Sequence, residues 1–351
     1  MIRVTALTAG KYDASSRFRI RQFIGPLAQH GVRVTEYWPL IDRYRIEPLP
    51  LLVMALRLPG LLASRFSEVA WLGRELASGK CTLEHLAGKK RLFDVDDAIW
   101  TPYPSDFSAA IAARCDGVIA GSAFLRDHYK NLCPRVWLVP MSVDTRVWRP
   151  AAKNPSASAN SESTTGAGNT YSPRKKWTIG WLGTASNLKY LYAIEEPLAD
   201  FLQRHEDARL LVCSGTRPSF HSLDASRWDF APWSIEEEIS NVQQMDVGLM
   251  PLEDSEAARG KCGFKMLAYM AVGIPVIVSP VGVNRERLAQ GQIGLAATSP
   301  GDWYQALERL YQDRALAARM GATGRKVAED HYSVEKNALL LADIFRQVAA
   351  E

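Results

Sequence analysis

The sequence predicts an α/β protein with two similar lobes on either side of a cleft, and three observations support this. At 351 residues the chain is long enough for two domains, each with its own core. Each half opens with a short strand, a glycine-containing turn and a helix, at 2–30 and again from 177. Between the halves, residues 151–176 are rich in Ser, Asn, Thr and Gly.

Strand and helix patterns alternate through the first half, which is typical of a mostly parallel sheet. Strands are predicted at 2–8, 32–37, 69–72, 91–95, 117–120 and 136–139. A helix is predicted over 16–30, and Gly31 is its expected stop. We therefore assign residues 1–150 to a first α/β domain.

Residues 151–176 contain almost no large apolar side chains, so they cannot bury enough surface to offset their ordering entropy. We interpret them as a flexible linker or a surface insertion. Residues 177–351 then form the second domain, and its last helix is expected to pack back on the first. The patterns predict strands at 177–182, 210–213, 246–250 and 275–278, a helix at 263–271 and helices over 302–349.

Charge and cysteine content exclude several classes of protein. The net charge is only +4 and no basic run is present, which argues against a nucleic-acid partner. Five scattered cysteines without CxxC spacing argue against a zinc site or a disulfide framework and favour a reducing cytosol. The opening residues lack the apolar region of a signal peptide. We expect a cytoplasmic location.

The most apolar stretch is LPLLVMALRLPGLLAS, residues 49–64. It is interrupted by Arg57 and Pro59 and is shorter than the roughly 20 residues that span a bilayer. We predict a buried helix pair here. The alternative is a face that touches the membrane from the cytosolic side.

The segment RGKCGFKMLAYMAVGIPVIVSPVG, residues 259–282, is the most informative for function. Its glycines allow a sharp turn, and the helix that follows points free N–H groups and a partial positive charge outward. Lys261 and Lys265 add two cations, which suits a diphosphate ligand in the gap between the lobes. A glycine-rich loop with solvated lysines remains the alternative.

Several stretches, in order, resemble one family. They are SSRFRIRQFIGPLAQHGVRV, LFDVDDAIW, VIAGSAFLRDHY, VWLVPMSVDTRVWRP, IGWLGTASNLKYL and GFKMLAYMAVGIPVIVSPVGVN. Together they resemble family-4-type retaining glycosyltransferases, the group 1 glycosyltransferases, in a subgroup typical of surface-polysaccharide gene clusters. The resemblance implies the GT-B fold, in which two Rossmann-like domains face each other across a cleft.

The resemblance also implies donor-binding positions. In the second domain they are Gly183 and Thr184 beside the phosphates, Lys261, Gly263 and Lys265 at the diphosphate, and Phe264 at the donor sugar. On the first-domain side of the cleft they are Gly10, Ser16, Arg17 and Arg19, with a solvated helix face as the alternative for the two arginines.

Two positions depart from the family pattern. Many relatives carry two glutamates where this chain has Gly260 and Ala268, and the second of them grips the donor ribose. Neither residue here can accept a hydrogen bond through its side chain. The ribose would then be held by backbone groups or by Glu256.

Three aspartates follow the predicted strand 91–95 or lie at its end: Asp94, Asp96 and Asp97. Ligands bind at such strand ends in open α/β sheets. By the resemblance, Asp96 stands where relatives have a histidine beside the transferred sugar. As catalytic candidates, Asp96 and Asp97 could steady an oxocarbenium charge or orient the acceptor hydroxyl. The alternative is that they cap a turn or pair with an arginine, and we assign no metal.

We therefore expect an enzyme, a retaining glycosyltransferase of the hexosyltransferase type active in polysaccharide biosynthesis. Its donor is a sugar carried on UDP or GDP, its acceptor is a hydroxyl of a glycan or lipid-linked saccharide, and no other cofactor is required. Two alternatives stay open. One is a catalytically degenerate relative that binds a nucleotide sugar or a partner protein, and the other is a nucleotide-sugar 2-epimerase.

Overall fold

The computed structural model describes residues 1–39, 50–151 and 176–351. In this part of the chain, the strands form two parallel six-stranded sheets. Most of the linker predicted at 151–176 lies outside the described residues. The predicted α/β class with two Rossmann-like sheets is confirmed.

The first sheet is built from residues before the gap at 152–175. Its strands are β1 (Ile2–Leu7), β2 (Val32–Tyr37), β3 (Val69–Gly73), β4 (Arg91–Val95), β5 (Gly117–Ala120) and β6 (Val136–Leu138), in the spatial order β2-β1-β3-β4-β5-β6. The helices of this part are α1 (Ile24–Gln29), α2 (Pro50–Ser64), α3 (Phe107–Ala112) and α4 (Ala123–Tyr129). Strand β3 is buried along its whole length, because helices cover both faces of a parallel sheet.

The second sheet follows the gap. Its strands are β7 (Trp177–Gly183), β8 (Ala208–Ser214), β9 (Trp228–Pro232), β10 (Val247–Met250), β11 (Val276–Val278) and β12 (Gly294–Ala296), in the order β12-β11-β10-β7-β8-β9. The helices are α5 (Leu188–Tyr192), α6 (Glu195–Arg204), α7 (Glu238–Gln243), α8 (Glu256–Arg259), α9 (Phe264–Ala271), α10 (Val283–Leu288), α11 (Pro300–Gln312), α12 (Arg314–Tyr332) and α13 (Val334–Ala349).

The last helix, α13, lies against the first sheet. Phe345 is fully buried, and its ring centroid is 5.1 Å from that of Trp71 on β3. At the crossing point, Arg325 of α12 donates to the carbonyl oxygens of Thr145, Trp148 and Ala271 at 2.5–2.8 Å. One guanidinium therefore ties the segment after β6 to both α9 and α12.

The predicted helix 16–30 is irregular. It comprises a π-helical turn (Ser16–Ile20), a 3-10 turn (Arg21–Phe23) and only then α1. Pro26 explains the break, because proline has no N–H to donate and is tolerated only in the first turn of an α-helix. Gly31, with φ 78°, ends the helix as predicted.

Strands β2, β4 and β5 have the predicted bounds, and the other predicted strands differ by one or two residues at either end. The prediction missed β9 and β12, which lie at the two edges of the second sheet. β9 contains Asp229 and Pro232, which are rare in strands, and β12 is only three residues long. Both are short edge strands with weak local signals.

The predicted buried helix pair at 49–64 is wrong. The described residues form one helix, α2, with Pro59 inside it. Its outer side exposes apolar side chains: Leu58 is 47% and Leu62 is 60% exposed, and Phe66 just beyond the helix is 78% exposed. Among the described residues, no helix is long and apolar enough to cross a membrane.

Candidate active site between the two domains

Contacts between the domains join the carboxyl end of the first sheet to loops at the carboxyl end of the second. Arg17, which follows β1, forms an ion pair with Glu238, which follows β9. Trp100, which follows β4, donates from Nε1 to Glu256 Oε1 at 2.9 Å. Open α/β sheets bind ligands at the carboxyl ends of their strands. The surface between the domains is therefore the candidate active site.

The glycine-broken turn predicted to hold a diphosphate lies on this surface. Gly263 has φ 65° and ψ 39°, a left-handed conformation that favours glycine, and α9 starts directly after it. Arg287, 1% exposed, donates to the carbonyl oxygens of Gly263 and Cys262 at 2.6 and 2.8 Å. In the described part of the chain, no side chain caps the first turn of α9. Its first N–H groups can therefore serve a ligand.

Part of this turn is packed against the first domain. Cys262 is 3% exposed and lies close to Gly121. A Cβ added at Gly260 would overlap Ala98 of the first domain. Position 260 thus has no room for a side chain, because the loop after β4 occupies that space. Ala268, the second position that departs from the expected family pattern, is fully buried inside the second domain.

The two lysines of the turn remain half-buried. The ammonium nitrogen of Lys265 lies 4.4 Å from the ring centroid of Trp181. Burial and the charge of Lys261 lower the pKa of Lys265 to about 7. Among the described residues, no carboxylate lies within ion-pairing distance of Lys265. A cation with a lowered pKa and no acidic partner is suited to an anionic ligand.

The end of β7 adjoins this cation. A Cβ added at Gly183 would lie 2.7 Å from Lys265 Nζ, so glycine here leaves room for the lysine. Thr184 is exposed, and its hydroxyl accepts from Asn187 Nδ2 at 2.7 Å. Gly183, Thr184 and Lys265 therefore lie together at the surface between the domains.

The three aspartates divide into different environments. Asp94 is buried, and its carboxylate accepts from Arg19 Nε at 2.7 Å and from Trp71 Nε1 at 3.1 Å. Asp97 is half-exposed, and its Oδ2 lies 4.0 Å from Lys261 Nζ of the other domain. Asp94 is therefore structural, whereas Asp97 faces the cleft.

Asp96 is half-buried, and its two carboxylate oxygens differ in their partners. Its Oδ2 accepts from Ser15 Oγ at 2.6 Å, while its Oδ1 is buried without a hydrogen-bond partner among the described residues. Burial raises the pKa of Asp96, and the charge of Arg74 opposes that rise. A buried carboxylate oxygen without a partner is costly, which makes it a candidate for substrate contact.

The structure corrects the prediction for Arg19. The Arg19 side chain is 3% exposed and donates to Asp94 and to the carbonyl oxygen of Val139 at 2.7 Å. It is therefore not available to bind the nucleotide-sugar donor, and it does not lie on a solvated helix face. The predicted helix face is replaced by the π-helical turn, which directs Arg19 into the first domain. Ser16 Oγ accepts from the amide of Ala9, and Gly10 is buried next to it in sequence.

Arg17 does reach the cleft, but it is held there by protein groups. Glu238 accepts from Arg17 and also from Trp233 Nε1 at 3.0 Å, and the Arg17 guanidinium lies 5.6 Å from the Trp233 ring centroid. Two other predicted residues are also engaged across the interface. Glu256 binds Trp100, and the Phe264 ring stacks on Phe18 with centroids 3.6 Å apart.

Sequence reasoning missed Glu238 and Arg287 as residues that shape the site. Arg17 and Glu238 are 221 positions apart, and no local pattern connects them. Arg287 is on α10, where it had no distinguishing signal. Trp100 and Trp233 form part of the wall between the domains, where they donate to Glu256 and Glu238.

Two parallel α/β sheets that meet at their carboxyl ends define a two-domain fold of the GT-B class. Residues 176–313, within the second domain, match the model of the family described as glycosyl transferases group 1.

A D-inositol 3-phosphate glycosyltransferase of Corynebacterium urealyticum is 27% identical over 196 residues, which cover 50% of this chain and 44% of that protein. The match thus spans less than half of that relative's length.

Two solved structures share the fold over the whole chain. Sucrose-phosphate synthase from Thermosynechococcus elongatus superposes with a TM-score of 0.69 at 15% identity, covering 100% of both chains. HepE of Anabaena, in complex with UDP and glucose, superposes with a TM-score of 0.69 at 12% identity, covering 99% of this chain and 100% of that one. At these identities the likeness supports the fold alone.

Proposed function

We propose that this protein transfers a sugar from a nucleoside-diphosphate sugar to a hydroxyl of a glycan or lipid-linked saccharide. The observation that carries the proposal is Lys265, a half-buried ammonium at the start of α9 without an acidic partner among the described residues. It lies beside Gly183, on the surface between the domains. The relative's name and the family of the second domain support the same reaction class.

In this proposal the diphosphate lies against the first turn of α9, with Lys265 and Lys261 as its cations. The bond between the anomeric carbon and the diphosphate oxygen breaks, and the acceptor hydroxyl oxygen bonds to that carbon. The hydroxyl proton leaves with the departing phosphate oxygen. Lys265 stabilises the charge on the leaving group, and Asp96 stabilises the positive charge that develops on the sugar.

Retention of the anomeric configuration and transfer of a hexose are parts of the proposal that rest on the family resemblance. The donor nucleotide is UDP or GDP. Glu256 Oε1 accepts from Trp100 Nε1, so its other carboxylate oxygen, Oε2, is the one that would accept from the ribose hydroxyls. Otherwise backbone groups of the second domain hold the ribose.

A nucleotide screen tests the proposal. UDP, GDP, ADP and free uridine are compared by thermal shift, and a diphosphate is expected to raise the melting temperature more than its nucleoside does. Nucleotide release is then measured from UDP- and GDP-sugars with and without a lipid-linked saccharide extract. Binding without release would support the degenerate relative. Release with an epimerised sugar and no transfer would support the 2-epimerase.

The outer side of α2 is the part of the described structure that fits peripheral contact with a cytosolic membrane face. Leu52, Leu58 and Leu62, six and four residues apart along the helix, are all exposed. Phe66 is also exposed, and the exposed Arg65 is next to it. A row of exposed apolar side chains with a nearby cation suits the boundary of anionic lipids.

For the variant Leu58→Glu/Leu62→Glu, we expect co-sedimentation with phosphatidylglycerol vesicles to fall at least tenfold, because two apolar anchors are lost. The matched control is Leu339→Glu/Leu340→Glu on α13, where two exposed leucines are changed in the same way. Equal binding of the first variant and the unmodified protein would rule out α2 as the docking surface.

A further inference from the structure

The π-helical turn at 16–20 contacts the second domain through two adjacent side chains. Arg17 forms an ion pair with Glu238, the first residue of α7. Phe18 stacks on Phe264, the first residue of α9, with the ring centroids 3.6 Å apart. One short turn of the first domain is therefore in contact with the starts of two helices of the second. We call these two contacts the interdomain clamp.

The same turn is connected to both candidate site groups. Ser15, directly before the turn, donates to Asp96 Oδ2 at 2.6 Å. Phe264, on which Phe18 stacks, is followed in the chain by Lys265. Since Ser15 and Phe18 are three positions apart, their Cα atoms are separated by at most about 11 Å. A short series of contacts thus links Asp96 to Lys265 through the turn.

The ion pair of the clamp is buried. The side chain of Arg17 is 13% exposed and that of Glu238 is 5% exposed. The Glu238 carboxylate also accepts from Trp233 Nε1 at 3.0 Å. A buried ion pair adds little net stability, because removing both charges from water costs about as much as their attraction returns. Fixing one packing arrangement against others is its best-attested role.

The aromatic contact of the clamp fixes the start of α9. The Phe264 ring stacks on Phe18 at an interplanar angle of 25° and meets the ring of Trp148 edge-on, with centroids 5.6 Å apart. Phe18 and Trp148 belong to the first domain and are buried. Stacked and edge-on arrangements are the ones that aromatic pairs prefer. The backbone that carries Lys265 is therefore held against the first domain.

We propose that Arg17 and Phe18 are positioning residues for sugar transfer, which hold Lys265 of the second domain at a fixed distance from Asp96 of the first. A misplacement of about 1 Å can lower a rate by about 100-fold, even when its cause is remote from the reacting atoms. This inference rests on the proposed function insofar as transfer is the reaction. The arrangement of the two domains can be measured without any donor.

The first test uses Glu238→Gln and Phe18→Ala, each of which removes one contact of the clamp. Changing Glu238 leaves the Arg17 guanidinium in place, so the loss of a direct contact between Arg17 and a ligand cannot explain the result. Single-turnover nucleotide release from the donor sugar is expected to fall by about 10- to 100-fold in each variant. UDP or GDP affinity should stay within about twofold, because the phosphate-binding groups belong to the second domain.

Glu237→Gln is the matched control, since Glu237 is the exposed neighbour of Glu238 and loses its charge in the same way. It should behave like the unmodified protein. Melting temperatures identify any variant that does not fold, and Glu238→Gln, which keeps the shape of the side chain, is the milder of the two. An equal loss of turnover and of diphosphate affinity would indicate a merely structural role and overturn the proposal.

The second test measures the domain arrangement in the absence of any donor. Spin labels are attached through Lys130→Cys in the first domain and Glu206→Cys in the second, at two exposed positions. Cys81→Ser removes the one cysteine that is not buried. Double electron–electron resonance should give a broader distance distribution in Glu238→Gln and in Phe18→Ala than in Glu237→Gln.

The outcomes of the two tests separate this inference from the proposed function. An unchanged distance distribution in both clamp variants would overturn the inference. If the distribution broadens while the unmodified protein turns over no donor, the clamp still fixes the domains and only the sugar-transfer proposal fails. If the unmodified protein turns over its donor and both clamp variants do so at the same rate, only the role of Arg17 and Phe18 fails.

Discussion

Lys265→Ala is expected to weaken UDP or GDP binding by about 10- to 100-fold, the range for losing a hydrogen bond to a charged group. Binding of free uridine or guanosine should change less than about twofold, because Lys265 would contact only phosphate oxygens. Isothermal titration calorimetry with the diphosphate and the nucleoside measures both effects. An equal loss for both ligands would remove Lys265 from the phosphate site.

The lowered pKa of Lys265 gives this prediction a pH dependence. With a pKa of about 7, the Lys265 side chain of the unliganded protein is mostly protonated below neutral pH and mostly uncharged above it. Diphosphate affinity should therefore fall as the pH rises from about 7 to about 9. A bound diphosphate raises the pKa of Lys265, so binding near neutral pH should take up a proton. Calorimetry in two buffers of different ionisation enthalpy detects that proton.

Two variants serve as controls for Lys265. Lys265→Arg keeps a permanent charge, so it should retain part of the affinity and lose the pH dependence. Lys326→Ala removes a lysine of α12 that is 77% exposed and paired with Asp330 at 2.9 Å. That variant should bind the diphosphate like the unmodified protein.

Asp96→Asn is expected to lower nucleotide release from the donor sugar by about 100- to 1,000-fold, the usual effect of removing one charge-stabilising group from an active site. The diphosphate affinity should stay within about twofold, because the phosphate-binding groups belong to the other domain. The two measurements are single-turnover release from the donor and calorimetry with the diphosphate. Full turnover in Asp96→Asn would contradict the assignment.

Stability provides the control for Asp96. Asparagine has nearly the same shape, and it replaces a carboxylate whose Oδ1 is buried without a partner among the described residues. The melting temperature of Asp96→Asn should therefore be unchanged or higher, since removing a buried charge relieves a desolvation cost. Asp97→Asn is the matched variant. Asp97 is half-exposed and 4.0 Å from Lys261, so its effect on turnover should be smaller.

Most of the first domain could be predicted from local patterns. β-branched runs ending in glycine or proline located its strands, because a strand buried on both faces must be apolar along its length. The same reasoning missed β9 and β12 in the second sheet. Each is an edge strand that pairs with one neighbour, so its residues lack the continuous apolar pattern of the inner strands. The helix over 16–30 was correct in position but not in form, since the effect of Pro26 on its start was overlooked.

The candidate site was predicted in part. The turn with Lys261, Gly263 and Lys265 could be found because glycines and cations next to a helix start are contiguous in the chain. Local signals could not show that Arg19 pairs with Asp94, or that Glu256 and Phe264 contact the first domain. Those contacts depend on which side chains the two sheets bring together.

The chain's residue pattern was sufficient to establish an α/β architecture and to locate the glycine-broken turn with its two lysines, because periodicity, glycines and charges act over a few neighbouring positions. The folded molecule was needed to separate the roles of Asp94, Asp96 and Asp97, which lie within four positions yet differ in burial and partners. Burial and ionic pairing arise from distant segments, such as Arg17 and Glu238, that meet only when both domains are packed.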